Sequence, residues 1–336
     1  MRIDQIGEFA LIDRIRGALP APGPDVLVGI GDDVAVLKGD GDTVWLATCD
    51  VLVEGSHFLR DSIAPKDLGR KALAVNLSDV ASAGGSPRFA LVSLGLPGDL
   101  AVEFIDELYH GLRDEATMFG VDIVGGNISR SRHGIFIDVF LVGVTPRQDV
   151  VLRSGASPGD RILLTGSIGD AAAGVALLLD PALKAPGSYG PAAIARQHVP
   201  SPRVREGALI GRLRAATAMI DVSDGLAGDL AHICERSGVS ARLWAERLPV
   251  HADNRALSRA ARGDEWHFAL RGGEDYELLF TAAPSGARAL ADRITAETGT
   301  PVAEIGEIIP AREPAELVLP GGRTLPLGGS GWDHFK

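Results

Sequence analysis

Only two of the 336 residues are cysteine, Cys49 and Cys234, and no short spacing links them. Neither a disulfide framework nor a zinc site follows, and a reducing, cytoplasmic setting is expected. Aromatic residues make up 5% of the chain, so its cores must be packed mainly with Ala, Val, Leu and Ile. Basic residues are outnumbered, 33 Lys and Arg against 44 Asp and Glu, leaving a net charge of -11. That balance argues against a nucleic-acid partner, whose phosphates demand a basic face, and against an anionic membrane surface. No apolar run reaches the ~18 residues of a spanning helix. The opening stretch MRIDQIGEFALIDRIRGAL carries Asp4, Glu8 and Asp13 within its apolar pattern, so it is not expected to be a secretory signal. Also missing are a P-loop, a full G-x-G-x-x-G and a G-x-S-x-G nucleophile elbow. What is present is a 46% hydrophobic chain, long enough for two ordinary domains.

Periodicity organises the two halves. Phe9, Ile12 and Ile15 recur at helical spacing, and Pro20, Pro22 and Pro24 end that helix. VLVGI, VAVL, TVWLATCDVLVEG, RFALVSLGL, VDIVGG and IFIDVFLVGV read as strands. Between them PKDLGRKALAVNLSDVASAGG reads as a helix, with Pro65 at its start and Gly84-Gly85 at its end. In DLAVEFIDELYHGLRDEATMFG, residues Ile105, Leu108, Leu112 and Phe119 share a helical face, with Asp99 as the expected N-cap and Gly120 as the stop. Pro, Gly, Ser and Asp gather in TPRQDVVLRSGASPGD, which predicts a boundary dividing residues 1–148 from 149–336. Beyond it strands and helices mix without strict βα alternation, so the fold class is α+β in two domains. The tail PLGGSGWDHFK is either a C-terminal strand or a flap over a ligand.

Chemistry concentrates in carboxylates. Four apolar runs end in aspartate: VGIGDD, WLATCD, AVNLSD and MIDVSD. Each alone is an ordinary turn or cap. Four together, with little Lys or Arg between them, suit hard-oxygen ligation of Mg²⁺. In MIDVSDGL, Ser223 or Asp224 caps the following helix, or Asp221 and Asp224 ligate metal while Ser223 reaches a phosphate, and the two readings are compatible. VGGNIS (124–129) and LTGSIGDAAAG (164–174) are glycine-rich turns whose N–H groups suit an anion. In RGGEDYELLF, Glu274 and Asp275 lie between a Gly pair and a strand. His57 alone among the 8 histidines follows an acid-bearing strand closely.

These motifs, with TCDVLVEGSHF, KALAVNLSDVASAGG, RSGASPGD and the terminal GWDHF, occur in an order that closely resembles the thiamine-monophosphate kinases. The resemblance runs from about Gly7 to Phe335. It extends more distantly to aminoimidazole ribonucleotide synthetase, selenophosphate synthetase and a hydrogenase-maturation protein. It implies an N-terminal α/β domain whose sheet forms a barrel-like core across a homodimer, and a C-terminal α+β domain. It implies that Asp33, Thr48, Cys49, Asp50, Asp79, Asn127, Asp221 and Asp224 surround several Mg²⁺ ions, Thr48 and Cys49 partly through backbone oxygens. Many relatives have Asp where Asn127 stands, so a charge is lost there. Tyr109, Gly126, Asn127, Arg153 and Ser223 would bind ATP, and His57, Glu274 and Trp332 would bind thiamine phosphate.

The implied reaction moves the γ-phosphate of ATP onto thiamine monophosphate. Both reactants are anions, and even one unit-charge pair at 4 Å costs about 1 kcal/mol in water. With lysine scarce near the motifs, Mg²⁺ is expected to supply the counter-charge. The acceptor phosphate is already ionised, so no catalytic base is assigned, and direct in-line transfer without a phosphoenzyme is expected. Aminoimidazole ribonucleotide synthetase is the competing enzyme, and a non-catalytic metal- or nucleotide-binding protein the competing class. Selenophosphate synthetase would need a reactive Cys with a Lys near the start, where neither a Cys nor a Lys precedes Lys38, and the hydrogenase-maturation protein a terminal Cys, where this chain ends DHFK.

Overall fold

The computed structural model describes residues 2–328, 331, 332, 334 and 335; of the tail, Gly329, Ser330, Asp333 and Lys336 lie outside the described residues. The chain opens with α1 (Ile3–Ile6) and α2 (Glu8–Ala18). The helix expected around Phe9 is α2, yet it buries no residue, and Phe9 rests against the His232 ring at 4.5 Å.

Six strands follow: β1 (Val26–Val28), β2 (Ala35–Lys38), β3 (Thr43–Val53), β4 (Ser86–Leu96), β5 (Asp122–Arg130) and β6 (Phe136–Pro146). They form one sheet in the order β1-β2-β3-β6-β4-β5, antiparallel except for the β4–β5 pair. Helix α3 (Pro65–Ser82) lies between β3 and β4 in sequence, and α4 (Val102–Phe119) makes the crossover that parallel pairing requires. Pro65 begins α3, and Gly84, at φ +74°, lies just past its end. Leu108 and Leu112 of α4 are fully buried, and Gly120 stops the helix in the left-handed region. Asp99 does not cap α4. The N-cap is Ala101 without a side-chain bond, and Asp99 sits upstream in a turn closed by Leu100 N–H on Pro97 O.

VGGNIS is not a turn either. It belongs to the edge strand β5, because pairing with β4 draws it straight. A Cβ on Gly126 would lie 1.8 Å from Val92 O, so the glycine permits close backbone approach rather than chain reversal. Alternation sorts the sheet's two faces. Leu46, Leu52, Val92, Leu94, Ile137 and Leu141 point into the core, whereas Trp45, Val51, Phe89, Leu91, Phe136 and Phe140 are exposed on the open face.

The second half contributes β7 (Arg161–Thr165), β8 (Ala216–Asp221), β9 (Val239–Trp244), β10 (Leu278–Ala282), β11 (Val302–Pro310), β12 (Glu316–Val318) and β13 (Thr324–Pro326). They form a seven-stranded mixed sheet in the order β13-β12-β9-β11-β7-β10-β8, with only β12–β9 parallel. Its helices are α5 (Asp170–Leu179), α6 (Tyr189–His198), α7 (Val204–Leu213), α8 (Leu226–Ser237), α9 (Ala252–Arg262), α10 (His267–Arg271) and α11 (Pro284–Thr298). Helix α6 has no counterpart in the sequence reading; Pro191 within it and Pro186 and Pro200 on either side disguise it.

The central strands of this sheet are buried on both faces. Leu163, Met219 and Phe280 join the core that also holds α3 and the first sheet, while Ile162, Leu164, Ile220 and Leu279 join a second core with Leu226, Leu230 and Ile233 of α8. The fold is therefore two-domain α+β with a shared core, and α3 packs against both the first sheet and β8.

Candidate active site

Helix α3 is the organising element. Five of its polar side chains tie it to the segments around it. Lys71 Nζ reaches Glu274 Oε1 at 2.5 Å and His57 O at 3.0 Å. Asn76 Oδ1 accepts from Asp50 N–H at 2.9 Å. Ser78 Oγ donates to Asp221 Oδ2 at 2.5 Å, Thr48 Oγ1 donates to Asp79 Oδ2 at 2.5 Å, and Ser82 Oγ donates to Asp33 Oδ2 at 2.6 Å. The loop after β1, the middle of β3 and the end of β8 thus converge on one helix.

Their carboxylates converge with them. Oxygens of Asp33, Asp79 and Asp221 all lie within 4.8 Å of one another. An octahedral ion with oxygens at ~2.1 Å separates its ligands by about 3–4 Å, so small side-chain adjustments would close this set around one. The electrostatics describe a site short of positive charge. Burial, then the Asp33 charge, pushes Asp221 up to about 8. Burial, then Asp33 and Asp138, pushes Asp50 up to about 6, and burial followed by Glu8 does the same to Asp224. Asp79 is held well above the ordinary carboxylate range by burial and by Asp50, Asp221 and Asp33. Five neighbouring acids, largely shielded from water, are the donor set a hard cation fits.

Arg153 is the counter-charge within reach. Its Nε donates to Asp33 Oδ1 at 2.9 Å, and Nη2 contacts the same oxygen. Asp32 plays a different part, accepting from Asp33 N–H at 3.1 Å and Arg153 N–H at 3.2 Å. Asp224 lies in the β8–α8 loop, where its N–H donates to the fully buried Asp229 and its O accepts from Trp332 N–H at 3.0 Å. Neither Ser223 nor Asp224 caps α8, whose N-cap is Gly225 without a side-chain bond. Ser223 is half-buried, and its O accepts the Glu274 N–H at 2.8 Å, joining the metal-side and Glu274 loops.

Likeness to known proteins bears on this geometry. Models of the N-terminal and C-terminal domains of AIR synthase related proteins match residues 31–145 and 157–318. The thiamine-monophosphate kinase of Aquifex aeolicus is 37% identical over 337 residues, covering all of both chains. The chain belongs to the thiamine-monophosphate kinase family. The Escherichia coli K12 member is likewise 37% identical over 98% of each chain. Among solved structures, AaThiL complexed with AMPPCP and TMP aligns with a TM-score of 0.83 at 37% identity, covering 99% of each chain.

Other candidate residues are placed less uniformly. Asp50, Val139, Val92 and Gly126 form one row across β3, β6, β4 and β5, so Gly126 stands about 14 Å from Asp50, three strand spacings away. Asn127 falls in the neighbouring row with Ser93, Asp138 and Val51, on the open face. Within this chain it does not join the acids; its amide donates to Ser129 Oγ at 3.4 Å. Cys49 alternates with Thr48 and Asp50, so its thiol also points to the open face and only its backbone is left to serve the acid side. Tyr109 of α4 is half-buried against the first core. His57 Nδ1 accepts from Val53 N–H at 3.0 Å, and burial followed by His334 lowers its pKa, which leaves a neutral ring with its proton on Nε2. Trp332 is 56% exposed and lies in no strand, which decides against the C-terminal strand.

Lys71 corrects the expectation that lysine is scarce here: it is the largest fully buried side chain of the chain's described residues. It went unread, as did Asn76, Ser78, Ser82 and Gln197. The signal was available. From Ala72 to Ala83 the helix carries no charge except Asp79, so it has no solvent face, and its polar residues had to be spoken for.

Proposed function

We propose that the chain catalyses transfer of the γ-phosphate of ATP to the phosphate of thiamine monophosphate, giving ADP and thiamine diphosphate, the last step of thiamine diphosphate biosynthesis. The observation that carries this reading is the buried convergence of Asp33, Asp79 and Asp221 in a chain of this family. The likeness to AaThiL complexed with AMPPCP and TMP supports the two substrates. The domain division at 148/149, an N-terminal half that binds ATP and Mg²⁺, and a cytoplasmic location, where both phosphorylated substrates are found, belong to the same proposal.

Asp33, Asp50, Asp79, Asp221 and Asp224, with Thr48 and the Cys49 backbone, would hold the ions. Bound Mg²⁺ supplies the positive charge that lets two phosphorylated molecules approach. The chain's own residues then position them. Arg153 and Ser223 face the nucleotide phosphates, and Tyr109, Gly126 and Asn127 serve the nucleotide from the α4 and β5 end of the sheet. His57 offers its Nε2–H to thiamine phosphate, Glu274 orients it, and Trp332 stacks on the pyrimidine and closes the tail over it. No side chain is asked to take a proton, because the attacking oxygen is already an anion, so the transfer is in-line and direct. The exposed apolar face of the first sheet would pair with a second copy, closing a barrel-like homodimer core.

The test is product formation. With ATP and thiamine monophosphate, thiamine diphosphate should appear mole for mole with ADP at millimolar Mg²⁺ and not in its absence. No thiamine diphosphate at millimolar Mg²⁺ contradicts the reading and leaves a binding protein. A ³²P-labelled protein trapped during turnover from γ-labelled ATP contradicts direct transfer.

A further inference from the structure

A four-centre clamp joins two candidate substrate residues that lie 217 positions apart, His57 and Glu274. Its donors are Lys71 Nζ, from α3, and Gln197 Nε2, from α6. Its acceptors are the His57 carbonyl and the Glu274 carboxylate. Lys71 contacts Glu274 Oε1 at 2.5 Å and His57 O at 3.0 Å. Gln197 contacts Glu274 Oε2 at 3.0 Å and His57 O at 3.2 Å. Lys71 is fully buried, Gln197 is 4% exposed, and the Glu274 side chain is 21% exposed. The donors are inside and only the carboxylate reaches the surface of the site.

The backbone beneath Glu274 is equally constrained. Glu274 has φ +68° and Tyr276 has φ +51°, both in the left-handed region that non-glycine residues avoid. The Glu274 N–H is spent on Ser223 O, the Tyr276 N–H on Val222 O, and a Cβ on Gly273 would lie 2.1 Å from Ser223 O. A segment held in this way against the β8–α8 loop has little freedom of its own. Its one remaining degree of freedom is the Glu274 side chain, and both oxygens of that side chain are held by the clamp.

A buried ion pair is a poor way to stabilise a fold, since apolar groups of the same volume often serve as well. It is a good way to fix a carboxylate in place and to offset its charge. That matters in a pocket that must admit a phosphate ester. We infer that Lys71, assisted by Gln197, is a positioning residue for the acceptor: it sets the Glu274 carboxylate and the His57 loop as one rigid surface for thiamine phosphate and cancels the charge Glu274 would otherwise bring. This rests on the functional reading above and names residues that act through Glu274 and His57 rather than on substrate.

The experiment measures binding of thiamine monophosphate and, separately, of the non-hydrolysable nucleotide AMPPCP by calorimetry at millimolar Mg²⁺, with folding followed by thermal melts. For Lys71→Met, thiamine phosphate binding should weaken about 30-fold and AMPPCP binding by no more than about twofold, with Gln197→Leu losing about fivefold on the same side. Lys71→Arg should recover part of the loss. Equal loss of both ligands, or of neither, overturns the inference. If Lys71→Met does not fold, Lys71→Met/Glu274→Gln removes the orphaned carboxylate. In that background only the His57 carbonyl is left for Lys71 to hold, so the further loss relative to Glu274→Gln alone should be well below about 30-fold, and an undiminished further loss of about 30-fold overturns the inference. If the unaltered chain binds AMPPCP but no thiamine phosphate, the functional reading falls together with this one; tight binding by the unaltered chain with no loss in Lys71→Met removes the clamp alone.

Discussion

Arg153 directs its guanidinium at Asp33 Oδ1 while its backbone N–H holds the neighbouring Asp32, so two adjacent aspartates that would repel each other are assigned different tasks by one arginine. Asp33 faces the other acids, and Asp32 closes the turn. Removing the guanidinium should leave Asp33 buried without counter-charge and the nucleotide phosphates without a partner. Arg153→Met is expected to raise the KM for ATP by about 10- to 100-fold and to lower the melting temperature of the metal-free protein. Arg153→Lys should restore part of the stability and less of the KM, because it lacks the fork. An unchanged ATP KM in Arg153→Met would remove Arg153 from the nucleotide site.

Proton and metal should compete for the same oxygens. Burial and the neighbouring acids push Asp221 up to about 8, and Asp32, Asp50 and Asp224 up to about 6, all above the ordinary carboxylate range. The folded chain therefore keeps protons that the unfolded chain has released. For Asp221 the resulting stabilisation is complete below about pH 4 and is lost as pH rises towards 8. The metal-free protein is expected to melt at a lower temperature at pH 8.5 than at pH 6, and saturating Mg²⁺ should abolish that difference. The half-saturating Mg²⁺ concentration should fall by up to about tenfold per pH unit between pH 6 and 8, as binding demands the ionised form. Asp221→Asn should flatten the pH dependence of the metal-free melt while removing most activity. A metal-free protein that gains stability from pH 6 to 8.5 would contradict the assignment.

The open face of the first sheet gives a prediction about assembly. Trp45, Phe89, Leu91, Phe136 and Phe140 are exposed there, a largely apolar surface of the kind that marks an interface. Sedimentation of the unaltered chain should give twice the monomer mass, and Phe140→Asp or Leu91→Glu should shift it to the monomer. A monomeric unaltered chain at micromolar concentration would overturn the homodimer.

Trp332 tests the tail. Its backbone is tied to Asp224, and its exposed ring touches His334 edge-on, the arrangement of an anchored segment with an aromatic that can turn onto a ligand. Trp332→Ala is expected to raise the KM for thiamine phosphate about tenfold and the KM for ATP by less than about twofold. Equal effects on the two would remove the closing tail.

The parts of this site that could be read from sequence were those whose chemistry breaks a local pattern. Asp33, Asp50, Asp79 and Asp221 stand out because a charged residue terminates an apolar run, and the fold brings three of them within ligand distance. Lys71, Ser78 and Ser82 did not, although they fall at i, i+7 and i+11 and so share one helical face. The lack of a charged face on α3 signals that these residues are buried, whereas their partners are set only by the packing of α3 against β8 as well as the first sheet. VGGNIS was misread for a related reason: glycines signal a turn locally, whereas Gly126 answers a demand made by Val92 from another strand. Asn127 and Cys49 could be named from motif order but not assigned to a face, which depends on register.

The central claim is that Asp33, Asp79 and Asp221 share divalent ions. Crystals grown with Mn²⁺ in place of Mg²⁺, together with AMPPCP and thiamine monophosphate, test it by anomalous scattering at the manganese edge. The account predicts peaks bonded to oxygens of all three aspartates at about 2.1–2.2 Å. Fully ordered ligands with no manganese peak touching those carboxylates would contradict it.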